Sequence, residues 1–260
     1  MMSNQFGHVL VHVPHASDHI PADARQHFKI DEEALQRELL ALTDWYTDDL
    51  FAVDSQPGIA IRFPVSRFVV DPERFPDDSK EPMADCGMGA VYTHRSDGIP
   101  YRTGLSAAER DLLLTTYYWP HWQRIEQEVD RRLAMHDHCL IIDAHSFPNE
   151  PLPVHEAQYS DGTPEDICLG TDDFHTPTAL IDVARASFTQ FDLSVSVNTP
   201  FAGTIVPNKH QNVDSRVHSI MIEVNRRLYM DELTGARSSG YQRTKEAVQS
   251  ALIALMDAKP

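Results

Sequence analysis

Short apolar runs recur along the chain, separated by longer stretches in which apolar residues return every three or four positions. His8–Val13 alternates strictly, with Val9, Val11 and Val13 on one face, as a half-buried strand does. His138–Ile142 and His218–Val224 are short and largely apolar, which is typical of central strands. Ile59–Phe63 and Arg67–Val70 are further strand candidates, and Leu193–Val197 is a weaker one.

Helical periodicity is clearest after Ser106. Ser106 and Glu109 have the S-x-x-E spacing of a capping box. An apolar stripe follows at spacings of three and four: Tyr118, Trp122, Ile125, Val129 and Leu133. Pro120 falls inside this stripe, so the helix is predicted to kink or break near Tyr117. Helices are also predicted over Asp31–Val53, Thr176–Gln190 and Tyr241–Met256.

The segment Asp31–Val53 is predicted to contain a break near Thr43. In one continuous helix, Asp44 would point away from the apolar stripe formed by Leu35, Leu39, Leu42, Tyr46 and Leu50. A break instead places Asp44 in the first turn of a new helix.

Strands that alternate with helices predict an α/β fold with a largely parallel or mixed sheet. The 260 residues contain no repeat or Gly/Ser linker, so a single domain is predicted over residues 1–260. Two predicted loops, Asp71–Gly104 and Phe147–His175, are rich in Pro, Gly and Asp. Loops of this length are uncommon in compact domains unless they carry function.

The composition, with 42% hydrophobic and 23% charged residues, is that of a packed globular protein. A net charge of −17 argues against a nucleic-acid partner and requires a local positive site for any anionic substrate. No apolar run is long enough to span a membrane, and Met1–Gly7 lacks the features of a secretory leader. Three scattered cysteines (Cys86, Cys139, Cys168) predict a cytoplasmic protein without a disulfide framework. The oligomeric state is not indicated.

Four candidate catalytic residues lie in or near predicted strand ends and helix starts: His15, Asp44, His145 and Glu223. Two histidines and a carboxylate from different elements can hold zinc with an open fourth position, and a second carboxylate can accept a proton from water. Asp18 competes with Asp44 as the carboxylate ligand. Each residue also has a structural interpretation, because a histidine after a strand commonly bonds to backbone and Glu223 could pair with Arg226. Neither H-E-x-x-H nor C-x-x-C is present.

Arginines form a second set of candidates. Arg67, Arg74 and Arg102 lie in or beside the loop Asp71–Gly104, and a guanidinium group can bind a carboxylate through two parallel hydrogen bonds. The alternative is that each of them neutralises one of the 39 acidic residues of the chain.

Motifs along most of the chain, in their order and spacing, resemble those of the N-formylglutamate amidohydrolase family. They are Pro14-His15-Ala16, Thr43-Asp44-Trp45, Ser66-Arg67-Phe68-Val69-Val70-Asp71 with Arg74, Gly89-Ala90-Val91-Tyr92, Asp97-Gly98-Ile99-Pro100-Tyr101-Arg102, Asp143-Ala144-His145-Ser146, Leu169-Gly170-Thr171, Asn198 with Phe201 and Gly203, and Ile222-Glu223-Val224-Asn225 leading to Tyr229-Met230-Asp231-Glu232. The chain departs from the family in Asp-Pro-Glu-Arg, where Asp-Leu-Asn-Arg is usual, in Ala-Ser-Asp after His15, and in lacking a second glycine after Gly203.

The resemblance implies a three-layer α/β/α fold around a mixed sheet, similar to zinc carboxypeptidases. It implies one zinc ion, or another divalent metal, held by His15, Asp44 and His145, with Glu223 as general base. The substrate would be bound by Arg67, Arg74, Arg102 and Asn198, and Asp143 could orient a metal ligand.

The implied reaction is hydrolysis of N-formyl-L-glutamate to formate and L-glutamate, the last step of histidine degradation. Two alternatives remain. One is a related zinc amidase that acts on another N-acyl amino acid or on a peptidoglycan-type peptide. The other is a metal-free module that binds acidic metabolites.

Overall fold

The computed structural model describes residues 6–52, 59–159 and 163–258. Val53 and the first five residues of the segment Met1–Gly7 lie outside these ranges. Within them, six strands form one sheet in the order β2-β1-β3-β6-β4-β5. The strands are β1 (Val9–Val13), β2 (Ala60–Arg62), β3 (Cys139–Phe147), β4 (Ile167–Gly170), β5 (Val195–Val197) and β6 (Val217–Asn225).

The sheet is mixed, as the alternation of strands and helices predicts. The first four strands in the spatial order are parallel, β4 runs antiparallel to β6, and β5 is parallel to β4. The longest pairing joins β3 to β6 over nine residues, from Cys139↔Val217 to Phe147↔Asn225. The carboxyl ends of β1, β3 and β6 therefore meet at one edge of the sheet.

Helices cover both faces of the sheet. They are α1 (Ala22–Arg25), α2 (Glu32–Leu42), α3 (Thr47–Leu50), α4 (Ala107–Leu113), α5 (Trp119–His136), α6 (Thr178–Thr189) and α7 (Tyr241–Asp257), with 3-10 turns at Asp78–Lys80, Pro82–Cys86, Pro153–Gln158 and Arg226–Leu228. Val9, Val11 and Val13 pack in one core with α3, α6 and α7. Leu10 packs on the opposite face with α5. The three-layer α/β/α architecture is confirmed.

Most predicted strands are confirmed, with one error and one omission. Arg67–Val70 is not a strand: the Val69 amide donates to the Ser66 carbonyl (2.8 Å), which closes a turn. Its apolar residues are buried in a separate core beside α2 rather than in the sheet. The omission is β4, which is only four residues long and lies within the predicted loop Phe147–His175.

The helix boundaries follow local chemistry. The capping box at Ser106 is formed, with the Ser106 hydroxyl accepting from the Glu109 amide (3.2 Å). Near Tyr117 the structure has a π-helical turn, Leu114–Tyr118, after which α5 begins one residue before Pro120. Proline is tolerated there because amides in the first turn of a helix need no intrahelical acceptor. No helix of the described residues is long and apolar enough to cross a membrane.

The predicted break near Thr43 is present. α2 ends at Leu42, and Thr43 adopts an extended conformation. Asp44 lies between α2 and α3, rather than in the first turn of α3 as predicted. The break turns Asp44 inwards, where its side chain is buried.

Candidate active site

A cavity of about 390 Å³ opens at the carboxyl ends of β1, β3 and β6. His15 follows β1, His145 lies in β3, and Glu223 lies in β6 directly beside His145 in the strand register. All three side chains line the cavity and are almost completely buried. The parallel sheet thus places at one edge three residues that are far apart in the sequence.

In each of the two histidines, one ring nitrogen is hydrogen-bonded to a carboxylate and the other forms no hydrogen bond with the described residues. His15 Nε2 is 2.9 Å from Asp71 Oδ1, and His145 Nδ1 is 3.2 Å from Asp44 Oδ2. His15 Nδ1 and His145 Nε2 are buried and have no hydrogen-bond partner in the described part of the chain. A ring that donates one N–H to a carboxylate presents a lone pair at its other nitrogen, which is the usual arrangement of metal-binding histidines.

Glu73 supplies the third donor atom. One donor atom each from His15, Glu73 and His145 lie within 4.8 Å of one another. Glu73 Oε2 is 3.1 Å from His145 Nε2, and Glu73 Oε1 is buried with no hydrogen-bond partner among the described residues. Two imidazoles and a carboxylate are a suitable ligand set for zinc. The orphaned donor atoms therefore fit a divalent metal ion.

Sequence reasoning missed Glu73, although a signal was present. Glu73 is the acidic residue of Asp-Pro-Glu-Arg, at the position where the family usually has asparagine. The loop Asp71–Gly104 brings it to the edge of the sheet, beside His145.

Asp44 lies against both histidines, but both of its carboxylate oxygens already accept hydrogen bonds. Oδ1 accepts from Arg226 Nη2 (3.0 Å), and Oδ2 accepts from the Ser146 amide (3.3 Å) as well as from His145. Burial would raise the pKa of Asp44, but bonds to His145 and His15 and the charge of Arg226 hold it well below its usual range. This geometry favours Asp44 as a residue that orients His145 and Glu73 as the carboxylate ligand. Asp18, the other candidate, is exposed to solvent.

Asp71 is a buried, multiply hydrogen-bonded residue at the start of the loop that carries Glu73. Its carboxylate accepts hydrogen bonds from His15, from Arg67 Nη2 (2.7 Å) and from the Tyr92 hydroxyl (2.6 Å). Burial would raise the pKa of this carboxyl group, but Arg67 and His15 hold it well below its usual range. The ionised Asp71 therefore anchors both a histidine of the candidate metal site and an arginine of the cavity.

Glu223 is a buried carboxylate for which the described residues provide no ion pair. Its Oε2 has no hydrogen-bond partner within the ranges that the structure describes. The alternative of a Glu223–Arg226 ion pair is not seen there, since Arg226 pairs with Asp44. Burial raises the pKa of Glu223 to about 8, against the opposite effect of His145, and Asp44 and Glu73 add to the rise. A cation at the neighbouring cluster would bring this pKa down towards neutrality.

The predicted arginines are placed differently from one another. Arg67 and Arg74 line the cavity, and so does Arg226, which was not predicted to bind substrate. Arg102 is not among the described residues that line it: its guanidinium group donates to the carbonyls of Phe68 and Val69 and lies over the Phe28 ring. These contacts hold the turn Arg67–Val70, and the binding role of Arg102 stays a prediction.

Asn198 also lies away from the described cavity lining. It is exposed, adopts a positive φ of 56° and bonds through its side-chain amide to Thr171. Its side chain bridges two turns, and its predicted contact with substrate stays a prediction.

The comparisons with known proteins agree with this geometry. The family model described as N-formylglutamate amidohydrolase matches residues 7–230. The chain belongs to the N-formylglutamate amidohydrolase family. It is accordingly a hydrolase that acts on an amide bond.

Two solved structures are similar to this amidohydrolase. The crystal structure of N-formylglutamate amidohydrolase from Ralstonia eutropha JMP134 has a TM-score of 0.80 and 21% sequence identity, with 95% of this chain and 91% of that chain covered. A gene product of Agrobacterium tumefaciens has a TM-score of 0.63, 21% identity and the same coverage. At this identity the likeness shows the fold alone. No curated protein is significantly similar to the chain.

The cavity of this amidohydrolase contains three guanidinium groups, those of Arg67, Arg74 and Arg226, beside four carboxyl groups from Asp44, Glu73, Asp143 and Glu223. His155 lines the cavity, and burial, followed by the charges of Arg67 and Arg74, lowers the pKa of His155 to about 4. The aromatic rings of Phe147 and Phe201 complete this side of the lining. The arginines supply the positive charge that a small anion would need in this cavity.

A second buried cluster supports the candidate metal site from behind. His12, Glu73 and Asp143 also have donor atoms within 4.8 Å of one another. Both ring nitrogens of His12 already have partners, namely Asp143 Oδ1 (2.9 Å) and His121 Nε2 (2.8 Å). Asp143 Oδ1 is also 3.2 Å from His145 Nε2. Because both ring nitrogens of His12 are already bonded, His12 and Asp143 are suited to hold His145 in position.

Proposed function

We propose that this amidohydrolase hydrolyses N-formyl-L-glutamate to formate and L-glutamate with the help of one zinc ion. The observation that carries the proposal is the convergence of four buried, unpartnered atoms in one arginine-lined cavity: His15 Nδ1, Glu73 Oε1, His145 Nε2 and Glu223 Oε2. An unpartnered buried polar atom costs free energy, so four of them around one cavity fit a site that binds a cation and moves a proton.

His15, His145 and Glu73 would hold the metal ion. Bound there, a zinc ion would polarise the amide carbonyl and make a water molecule more acidic. Asp71 and Asp44 fix the ring orientation of the two histidines through hydrogen bonds of 2.9 and 3.2 Å. The role that the sequence suggested for Asp44 thus passes, in this proposal, to Glu73.

Glu223 would act as the general base and then as the general acid. Its carboxylate accepts a proton from the attacking water at Oε2, the oxygen that has no partner in the described structure. It then gives this proton to the nitrogen of the leaving glutamate. The apolar environment that raises its pKa to about 8 also makes it able to hold a proton during the reaction.

Arg74 is the strongest candidate for binding a substrate carboxylate. It lines the cavity, and its Nε is buried without a hydrogen-bond partner in the described residues, lying 3.7 Å from Asp71. Arg67 and Arg226 are each committed to a buried aspartate, so they contribute positive charge and orientation. Binding of the remote carboxylates would place the formyl carbon beside Glu223.

We further propose that this reaction is the last step of histidine degradation and takes place in the cytoplasm, as the family resemblance implies. This proposal predicts that a strain lacking this chain grows poorly on histidine as nitrogen source and accumulates N-formylglutamate.

The test is formate release from N-formyl-L-glutamate by protein stripped with a chelator, with and without added zinc. Zinc-dependent release that falls at least a thousandfold in Glu223→Gln is expected. Glu38→Gln is the matched control, because Glu38 is a buried glutamate bonded to Ser96 outside the cavity lining. It should keep full activity. Wild-type protein that stays silent with zinc bound would refute the substrate assignment.

A further inference from the structure

A second cavity adjoins the candidate active site. It has a volume of about 440 Å³, roughly fifteen times the volume that one water molecule takes up in the liquid. The two cavities share five lining residues, which come from the two segments Glu73–Phe75 and Thr204–Ile205. Because Glu73 and Arg74 border both spaces, the second cavity begins beside the candidate metal site and beside the proposed substrate-binding arginine.

The outer wall of this second cavity is aromatic. Tyr118 from the π-helical turn and Trp119 and Trp122 from α5 face it, together with Phe75. Trp119 is 43% exposed and Phe75 is 56% exposed. Large apolar side chains exposed together around a concavity are typical of a binding surface.

The aromatic wall is fixed to the loop that carries Glu73. The Trp122 indole donates to the Pro72 carbonyl (2.8 Å), and the Tyr118 hydroxyl donates to the Arg74 carbonyl (3.1 Å). These two bonds fix both rings relative to Glu73, the candidate metal ligand. A ligand that bridges the two cavities would meet a preformed wall, which reduces the entropy lost on binding.

The charges of the two cavities differ. The first contains three arginines (Arg67, Arg74 and Arg226) beside four acidic residues (Asp44, Glu73, Asp143 and Glu223), whereas Arg74 is the one basic residue among the described residues that line the second. Its other charged lining residues are Glu73 and Glu126. A second carboxylate would be unfavourable there, and a neutral apolar group would be favourable. The three guanidinium groups of the first cavity therefore suit the carboxylates of an amino-acid part, and the aromatic wall of the second suits an apolar acyl part.

We propose that this hydrolase accepts N-acyl-L-glutamates whose acyl group is apolar and larger than formyl, with that group bound against Trp119 and Phe75. The proposal rests on the amide-hydrolase function proposed above for the first cavity. The reaction remains a hydrolysis: the acyl C–N bond breaks, the acyl carbon gains hydroxyl, and the amine gains the proton. A one-carbon formyl group would leave the aromatic cavity unused.

The test compares kcat/KM for the N-acetyl, N-butanoyl and N-hexanoyl derivatives of L-glutamate, using zinc-loaded protein. These three acyl groups have similar electronic properties, so their differences report binding. Each buried methylene should raise kcat/KM about fourfold. If kcat/KM stays constant or falls from acetyl to hexanoyl, the proposed binding of larger acyl groups is wrong, whether or not the formyl substrate is hydrolysed.

Two variants test whether the acyl group binds in the second cavity. Trp119→Ala should lower the hexanoyl-to-acetyl ratio of kcat/KM about tenfold, whereas Leu112→Ala should leave it unchanged, because Leu112 is exposed on α4 outside both cavities. An unchanged ratio in Trp119→Ala would overturn the placement of the acyl group.

The N-formyl substrate separates this inference from the proposed function. Hydrolysis of N-formyl-L-glutamate without a gain along the acyl series leaves the proposed function standing and rejects the inference. Absence of hydrolysis with every substrate rejects both.

Discussion

Exchanging the two carboxylates next to the histidines tests which of them binds the metal. Glu73→Gln removes the charge of a donor atom within 4.8 Å of the donors of His15 and His145. Asp44→Asn alters the residue that bonds His145 Nδ1 at 3.2 Å. Both substitutions keep the size of the side chain, so the metal affinity is the quantity that should distinguish them.

The expected magnitudes follow from the two positions. Loss of a residue that orients a ligand lowers metal affinity by about 10- to 100-fold, equivalent to about 1.4–2.8 kcal/mol. Loss of a ligand itself should exceed about 100-fold. We therefore expect Glu73→Gln to bind zinc more weakly than Asp44→Asn, with a loss above about 100-fold against one of about 10- to 100-fold.

Zinc affinity is measured by competition with a chromophoric chelator, at pH 7.5, on protein shown by circular dichroism to be folded. Asp44→Asn also weakens a buried ion pair with Arg226, so its free energy of unfolding is measured in parallel. Glu38→Gln serves again as the buried-carboxylate control. If Asp44→Asn has the larger effect on zinc affinity at equal folded fraction, then Asp44 is the ligand, as the family resemblance implies.

Three further outcomes are expected. Arg226→Met leaves Asp44 buried without its cation and should lower the free energy of unfolding by about 3–5 kcal/mol in urea titrations, and a loss below 1 kcal/mol would contradict this. Arg74→Lys should raise KM for N-formyl-L-glutamate about tenfold in steady-state kinetics, with a smaller change in kcat, because lysine lacks the bidentate guanidinium group; an unchanged KM would remove Arg74 from the substrate site. The free energy of unfolding should fall as the pH drops below about 6.5. Burial, followed by repulsion from neighbouring cations, lowers the pKa of His8, His136 and His218, so the folded state favours their neutral form. Unfolding at pH 7.5 and 5.5 checks this, and His218→Gln should weaken the dependence.

The candidate site residues that lie in or after strands were predictable from the sequence. His15, His145 and Glu223 follow or lie within short apolar runs, and parallel pairing brings the ends of such runs to one edge of the sheet. The α/β class, the order of most strands and helices, and the break near Thr43 were predictable for the same reason, since each depends on local periodicity and capping.

The residues on loops were less predictable. Arg102 and Asn198 have the residue types of a substrate site, but Phe28 and Thr171 lie beside them and bind their side chains. Glu73 lies in a loop after a turn that apolar composition predicted to be a strand. In each case tertiary contacts decide where the side chain points, and these contacts join segments that no local pattern relates.

The strand order also governs when the chain can acquire its activity. β3, in the interior of the sheet, pairs through Leu140 with Val9 and through Cys139 with Val217, so both of its pairings close very long loops. Closure of such loops costs entropy before any contact compensates for it, which makes parallel sheets of this kind slow to fold. Because His15, His145 and Glu223 each depend on a different one of these strands, a partly folded chain has no site. Recovery of catalysis during refolding should thus report the last pairing of the sheet rather than its first collapse.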